Sequence, residues 1–316
     1  MKKYLFFLFI LTFLTSACGF REDKQTVQDT ATGYMVIDDS GRQVYLRNKP
    51  VRIVSTTYGT DEILIELVDA KNIKALSRWA GDPEITFISK EQAAAVGKTV
   101  YPSAESILAL KPDIVFVSIT SGKEVAKTLE DMGVTVYIAD SPKNYDAMKK
   151  KVIGIASAVG ERKKGEAMIG EMDAKLAALN EKLKLITPEK EKKVMAFSFI
   201  GAIGRKGNLL DDIFRHAYVR NCAAEAGLEQ ESGPLSKEQI VAVNPDVILL
   251  PTWDFNSDTS TSDFAKELLH DPAIKDIAAI KNNKVAFVSD RYRYVASQHI
   301  TDSIEAVAKA VYPELF

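Results

Sequence analysis

Along the chain, short apolar runs bounded by turn residues alternate with longer stretches of helical spacing. The runs Arg52–Ser55, Ile73–Leu76, Ile114–Ser118 and Val134–Ile138 predict strands in the first half, and Val194–Ser198, Val247–Leu250 and Val285–Val288 in the second. Val125–Met132 and Asp263–Leu269 read as helices among them. This alternation predicts an α/β fold: two Rossmann-like lobes with parallel-rich sheets. From Tyr145 to Leu185, Met168, Met172, Leu176, Leu179 and Leu183 recur at three- and four-residue steps. That spacing predicts one long rigid α-helix joining the lobes, roughly 60 Å at 1.5 Å per residue, with a bend only at Gly160. Lys149, Lys150 and Lys151 read as its solvated face.

An ungapped internal repeat relates the two halves. Ser103-Ala-Glu105-Ser-Ile107-Leu-Ala109-Leu-Lys-Pro112-Asp113-Ile114 matches Ser236-Lys-Glu238-Gln-Ile240-Val-Ala242-Val-Asn-Pro245-Asp246-Val247 at an offset of 133 residues. Each copy opens on a capping-box-like Ser-x-x-Ser or Ser-x-x-Gln, runs through a helical turn, stops at Pro and enters an apolar strand.

The N-terminus carries an address. Lys2 and Lys3, the apolar run Tyr4–Leu14 and the small residues before Cys18 predict a signal peptide over 1–17. The run is shorter than the roughly 20 residues that span a bilayer. Thr15-Ser16-Ala17-Cys18 resembles a bacterial lipobox, with Thr15 where Leu is usual, so Cys18 is the expected lipidation site and the anchor to the membrane. Residues 18–33 are polar and read as a lipidated tether of about 20 Å reach, outside the cytoplasmic membrane. The expected division is then an N-terminal lobe over 34–142, an interlobe helix over 143–187 and a C-terminal lobe over 188–316.

A chain of 316 residues can bury two separate cores. Its 41 Lys and Arg against 43 Asp and Glu leave a formal charge of −2, no global field for a polyphosphate, which argues against a nucleic-acid partner. Two cysteines, Cys18 and Cys222, exclude a framework of several disulfides, and Cys222 reads as a small buried apolar residue. Each lobe completes its own sheet, so a monomer is expected.

Several motifs in fixed order carry a family resemblance. They are Ile37-Asp38-Asp39-Ser40-Gly41-Arg42-Gln43-Val44, Pro50-Val51-Arg52-Ile53-Val54, Thr60-Asp61-Glu62-Ile63-Leu64 and both copies of the repeat. From about Tyr34 onward the chain resembles the extracytoplasmic substrate-binding proteins of ABC importers for ferric siderophores, heme and cobalamin. The resemblance implies capture of a metal chelate in the cleft, with little lobe closure and no cofactor of the protein's own. It implies delivery to an ABC permease dimer with cytoplasmic ATPase subunits. It further implies that one surface glutamate per lobe, Glu105 and Glu238, docks on permease arginines. From the residues alone, each carboxylate merely favours the positive end of its helix.

In open α/β sheets ligands bind beyond the carboxyl ends of the strands. The loops there, 56–60, 119–122, 199–207, 252–258 and 290–297, are aromatic and cationic. The ligand-binding candidates are Tyr58, Trp79, Arg205, Trp253, Arg291 and Tyr292, with the two tryptophans on opposite sides of the cleft. Aromatic faces suit the flat body of a chelate or tetrapyrrole, and guanidinium groups suit its carboxylates, catecholates or propionates. If Arg291–Tyr294 is extended, alternation aims only one Arg–Tyr pair at the cleft. Gly201, Gly204 and Gly207 read as a tight loop over the ligand, lacking phosphate-motif spacing.

His216, His270 and His299 share no metal-ligand spacing, which disfavours a receptor for free metal ions. His299 is the best placed axial group should the ligand be heme, with a phenolate from Tyr58 or Tyr292 as the other choice; no metal ligand is assigned. The absence of G-x-S-x-G, dinucleotide and paired-histidine motifs argues against an enzyme. A tetrapyrrole-modifying enzyme on the same fold and an adhesive surface protein are the competing classes.

Overall fold

The computed structural model describes residues 28–30, 32–119, 122–254, 258 and 260–316, so the signal segment, Cys18 and most of the expected tether lie outside the described residues. The described chain opens on an antiparallel sheet of β1 (Gln28–Thr30), β2 (Gly33–Ile37) and β3 (Gln43–Leu46). This corrects the end of the expected tether: Gln28 pairs opposite Met35. An exposed edge strand needs only main-chain partners, so hydropathy does not mark it. Asp38 and Asp39 fasten this sheet to the lobe beside it. Asp38 accepts from the amides of Ser40, Arg42 and Ile138 at 3.0, 2.9 and 3.2 Å, and Asp39 from that of Asp140 at 3.0 Å.

The first lobe runs β4 (Ile53–Ser55), α1 (Tyr58–Leu67), β5 (Ile73–Ser77), α2 (Lys90–Val96), β6 (Thr99–Val100) and α3 (Ala104–Leu108). It continues through β7 (Ile114–Ser118), α4 (Lys123–Asp131) and β8 (Val136–Ala139). Strand order is β6-β5-β4-β7-β8 and every pairing is parallel. The central strands are buried on both faces, which is why they read as unbroken apolar runs.

The joining segment is two helices, α5 (Tyr145–Ala158) and α6 (Arg162–Leu183). Gly160, at φ +69°, lets the chain reverse between them. They run back along each other: the Tyr145 hydroxyl donates to Asp173 at 3.1 Å, and a Cβ on Gly165 would stand 2.5 Å from that of Ala156. The expected 60 Å rod is thereby corrected to a folded pair whose longer member, α6, spans 22 residues or about 33 Å. Lys151 is corrected too, being 5% exposed and donating to the Ala296 carbonyl at 2.9 Å. Folding α5 back turns its supposed water face inward.

The second lobe runs β9 (Lys192–Ser198), β10 (Gly201–Ile203), α7 (Leu209–His216), β11 (Val219–Asn221), α8 (Cys222–Glu225) and α9 (Lys237–Val243). There follow β12 (Val247–Leu250), α10 (Thr261–Leu269), α11 (Ala278–Lys281), β13 (Val285–Phe287), α12 (Asp290–Arg293) and α13 (Ile300–Val311). β9, β12 and β13 are parallel neighbours, while β10 and β11 share the other edge of β9. One apolar core passes from Ile53 and Ile63 through Val152 and Leu176 to Val194 and Ile304, joining both lobes to the helical pair.

The repeat's Pro-Asp serves one purpose in both lobes. Asp113 Oδ2 accepts the Arg52 amide and Asp246 Oδ2 the Lys193 amide, each at 2.9 Å, pinning the entry to the central strand next door. Lys111 and Asn244, just before the prolines, sit at φ +50° and +47°, where each helix ends. The serines differ: Ser236 forms a reciprocal capping box with Gln239, whereas Ser103 makes no side-chain cap.

Candidate functional site

The carboxyl ends of strands from both sheets meet between the lobes. β4 leads into Thr57, which caps α1 and sets Tyr58 at its first turn. β5 leads into Arg78 and Trp79, β12 into Thr252 and Trp253, and β13 into α12 with Arg291 and Tyr292.

Five of the six predicted ligand residues converge here. Trp79 and Trp253 meet edge to face with ring centroids 5.3 Å apart, one from each lobe. The Tyr58 hydroxyl crosses to the Tyr294 carbonyl at 2.7 Å. Burial, with Glu62 and Tyr294 close by, pushes the Tyr58 phenol well above its usual range. It is therefore a neutral donor at physiological pH, already engaged by that carbonyl. The Arg291 guanidinium lies 5.2 Å from the Phe87 ring and 4.9 Å from that of Tyr292; its Nη2 donates to the Tyr292 hydroxyl at 3.1 Å. Its Nε is buried with no hydrogen-bond partner among the described residues. Tyr292 in turn meets Phe87 edge-on at 5.3 Å.

Arg205 is the exception. It donates to the carbonyls of Glu229 and Ser232, the latter at 2.8 Å, and so closes its own loop. Residues 290–293 form a helical turn and not an extended segment. That turn sends Arg291 and Tyr292 toward the first lobe and buries Arg293, which bonds Asp290 at 2.9 Å and the Phe197 carbonyl. Phe199 packs on Phe264 at 5.2 Å, and of the three loop glycines Gly204 lies closest to other structure, against Asn221. The ring of His299 stacks on Phe87 at 4.1 Å while its Nδ1 lies 2.8 Å from Asp302, so this nitrogen is already engaged.

Several site residues were not named by the sequence reading. Arg78 stacks over Trp79 at 3.9 Å and lies 5.1 Å from Tyr101, with no ion pair among the described residues. Its position directly before Trp79 after a strand was the available signal. Asp290 accepts the amides of Thr252 and Trp253 at 2.9 and 3.0 Å, and so holds the loop carrying the indole. Asp61 does the same for Trp79's loop by accepting the Ser77 amide at 2.9 Å. Asp61 is fully buried, its Oδ1 has no partner among the described residues, and burial raises its pKa to about 7. Glu84 takes the Thr252 hydroxyl and, at its carbonyl, the Arg291 amide, each at 2.8 Å.

Glu105 and Glu238 are exposed in the first turns of α3 and α9. An open depression of about 370 Å³ lies elsewhere, on the outer edge of the first lobe between β3 and β8, lined by Arg42, Tyr45, Glu130 and Val136 among others. It holds none of the predicted residues and faces away from the strand carboxyl ends. Among the described residues no three His, Cys, Asp or Glu side chains are grouped to hold a metal, and no helix is long and apolar enough to cross a membrane.

The comparisons with known proteins agree with this architecture. An uncharacterized ABC transporter substrate-binding lipoprotein of Bacillus subtilis, YvrC, is 24% identical over 322 aligned positions, covering 98% of this chain and 96% of the relative. The periplasmic heme-binding protein RhuT from Roseiflexus sp. RS-1 superposes with a TM-score of 0.70 at 24% identity, over 84% of this chain and 99% of that one. The molybdate-binding protein MolA of Haemophilus influenzae, bound to molybdate, gives 0.69 at 21% identity, over 89% and 92%. These structural likenesses establish the two-lobed α/β fold. The periplasmic binding protein model matches residues 53–292, well over half the sequence, and the chain belongs to that family.

Proposed function

We propose that this chain is the extracytoplasmic substrate-binding component of an ABC importer, capturing an organic iron complex, a ferric siderophore or heme, and delivering it to a membrane permease. The observation that carries the reading is the indole pair: Trp79 and Trp253 in contact across the lobes at 5.3 Å, with Arg78 stacked on Trp79 and, on the turn after β13, Arg291 lying against Phe87 and Tyr292. A small oxyanion is recognised through converging hydrogen-bond donors and gains little from aromatic faces. A flat organic chelate with anionic groups uses both. Relatives of the family are transport proteins, and no covalent step is required of this one. Glu105 and Glu238 are the proposed permease contacts, and Cys18 the proposed membrane anchor.

Equilibrium dialysis of residues 19–316 against hemin, ferric siderophores, cobalamin, molybdate and free ferric, zinc and manganese ions tests this reading. Retention of hemin or one ferric siderophore, and of no free ion, is the expected result. Retention of molybdate alone would replace it with an oxyanion receptor, and retention of cobalamin alone with a corrinoid receptor.

A further inference from the structure

We propose that Glu62 is a positioning residue: a buried interlobe clamp centred on its carboxylate, more than the joining helices, fixes the two lobes in one relation. The Thr60-Asp61-Glu62-Ile63-Leu64 motif thereby acquires a role that neither the core nor the ligand contacts require.

Glu62 is 2% exposed, on α1 of the first lobe. Its Oε1 accepts the Thr86 hydroxyl at 2.8 Å and the Phe87 amide at 3.0 Å. Its Oε2 accepts the hydroxyl of Ser297, a fully buried residue of the second lobe, and its main-chain carbonyl takes the Gln298 amide nitrogen at 2.9 Å. One side chain thus ties α1, the 86–87 loop and the segment after α12. Both oxygens of this buried carboxylate are engaged, and removing it leaves three donors without their acceptor.

The contacts around it share the same two sides. Gly59 on α1 touches the second lobe so closely that a Cβ there would lie 2.5 Å from the Ala296 carbonyl. Buried Lys151 of α5 donates to that same carbonyl at 2.9 Å. Phe87, whose amide Glu62 holds, is the ring on which His299 stacks and against which Arg291 and Tyr292 lie. Glu62 therefore acts on the ligand-facing turn through Phe87 and Ser297 without facing the cleft itself. The helical pair cannot supply this fixity as a straight strut, because α5 is turned back at Gly160.

The test needs no ligand. Residues 19–316 carrying Glu62→Ala, Glu62→Gln, Ser297→Ala or Gly59→Ala are compared with the parent by hydrogen exchange and by the exciton signal of the Trp79–Trp253 pair in far-ultraviolet circular dichroism. Trp79→Phe serves to assign the signal. Expected are roughly tenfold or faster exchange in 84–89 and 289–299, a weakened indole couplet in the Glu62→Ala, Ser297→Ala and Gly59→Ala variants, and substantial rescue by Glu62→Gln, whose amide oxygen still accepts. β7 and β12 should exchange as in the parent. An unchanged couplet and unchanged exchange in Ser297→Ala and Gly59→Ala overturn the proposal, whether or not Glu62→Ala folds. Uniform acceleration that includes β7 and β12 also overturns it, since that marks general destabilisation. A separate hemin titration rests on the receptor reading: if the clamp variants loosen the lobes yet no chelate binds the parent, the receptor reading fails and the clamp stands.

Discussion

The two copies of the internal repeat and the two rims of the cleft lie in the same lobes and follow different logics. At the strand entries, Asp113 and Asp246 make equivalent bonds to the neighbouring strand, and Lys111 and Asn244 adopt matching left-handed conformations. At the carboxyl ends the lobes diverge. The first offers Tyr58, Arg78 and Trp79 held by Asp61; the second offers Trp253, Arg291 and Tyr292 held by Asp290. What repeats is strand-entry scaffold together with the two proposed permease-docking glutamates, and what does not repeat is the proposed material for ligand recognition. A repeat found in sequence therefore locates the frame, and the ligand chemistry has to be sought in the segments it leaves out.

Substitutions in the two regions should have separable effects. Trp253→Ala should weaken chelate binding roughly 30-fold or more, as loss of a central aromatic anchor does, with thermal unfolding nearly unmoved; a calorimetric titration measures the first and scanning calorimetry the second. Arginine in place of both Glu105 and Glu238 should abolish uptake in cells while leaving chelate affinity unchanged. Uptake surviving that double reversal would remove the docking assignment. Asp113→Ala should cost about 1–3 kcal/mol by denaturant unfolding, and Asp246→Ala less. Among the described residues Asp113 accepts two amides, Val51 and Arg52, while Asp246 accepts only that of Lys193.

Two further expectations concern a buried proton and a left-handed residue. Asp61 has a folded-state pKa raised to about 7 by burial, above its unfolded value. The folded state then holds a proton that the unfolded state has released, so this group's contribution to stability falls as pH rises between the two values and is flat above about 7. The stability difference between the parent and Asp61→Asn should shift against the parent by up to about 1.4 kcal/mol per pH unit across that window. A difference independent of pH would contradict the assignment. Last, Lys111→Gly should stabilise slightly by relieving a left-handed residue, about 0.5–1 kcal/mol. Asn244→Gly should not, because Asn244 Oδ1 also accepts the Ala278 amide at 2.7 Å.

Much of the frame was legible in the sequence because parallel strands buried on both faces read as unbroken apolar runs. Ile114–Ser118 and Val247–Leu250 coincide with β7 and β12. The placement of Trp79 and Trp253 after strands assigned one indole to each lobe, while their edge-to-face contact was not foreseen. What escaped depends on partners far apart in the chain. Lys151 looks like a solvated lysine until α5 is turned back at Gly160 to meet Ala296, 145 residues away. Glu62 looks like one more helix acid until Ser297, 235 residues on, is brought against it. Arg293 is indistinguishable from Arg291 in sequence; a single helical turn aims one at the cleft and buries the other. Local periodicity carries no information about such pairings.

The most direct measurement of the central claim is tryptophan fluorescence of residues 19–316 during titration with hemin and ferric siderophores. Trp79 and Trp253 are the chain's two tryptophans, so the whole signal comes from the proposed site. Saturable quenching by one iron chelate is expected, absent with free ferric, zinc or manganese ions and reduced in either Trp79→Phe or Trp253→Phe. No saturable change with any chelate, or a response equal with free ions, would contradict a chelate receptor built on the interlobe indole pair.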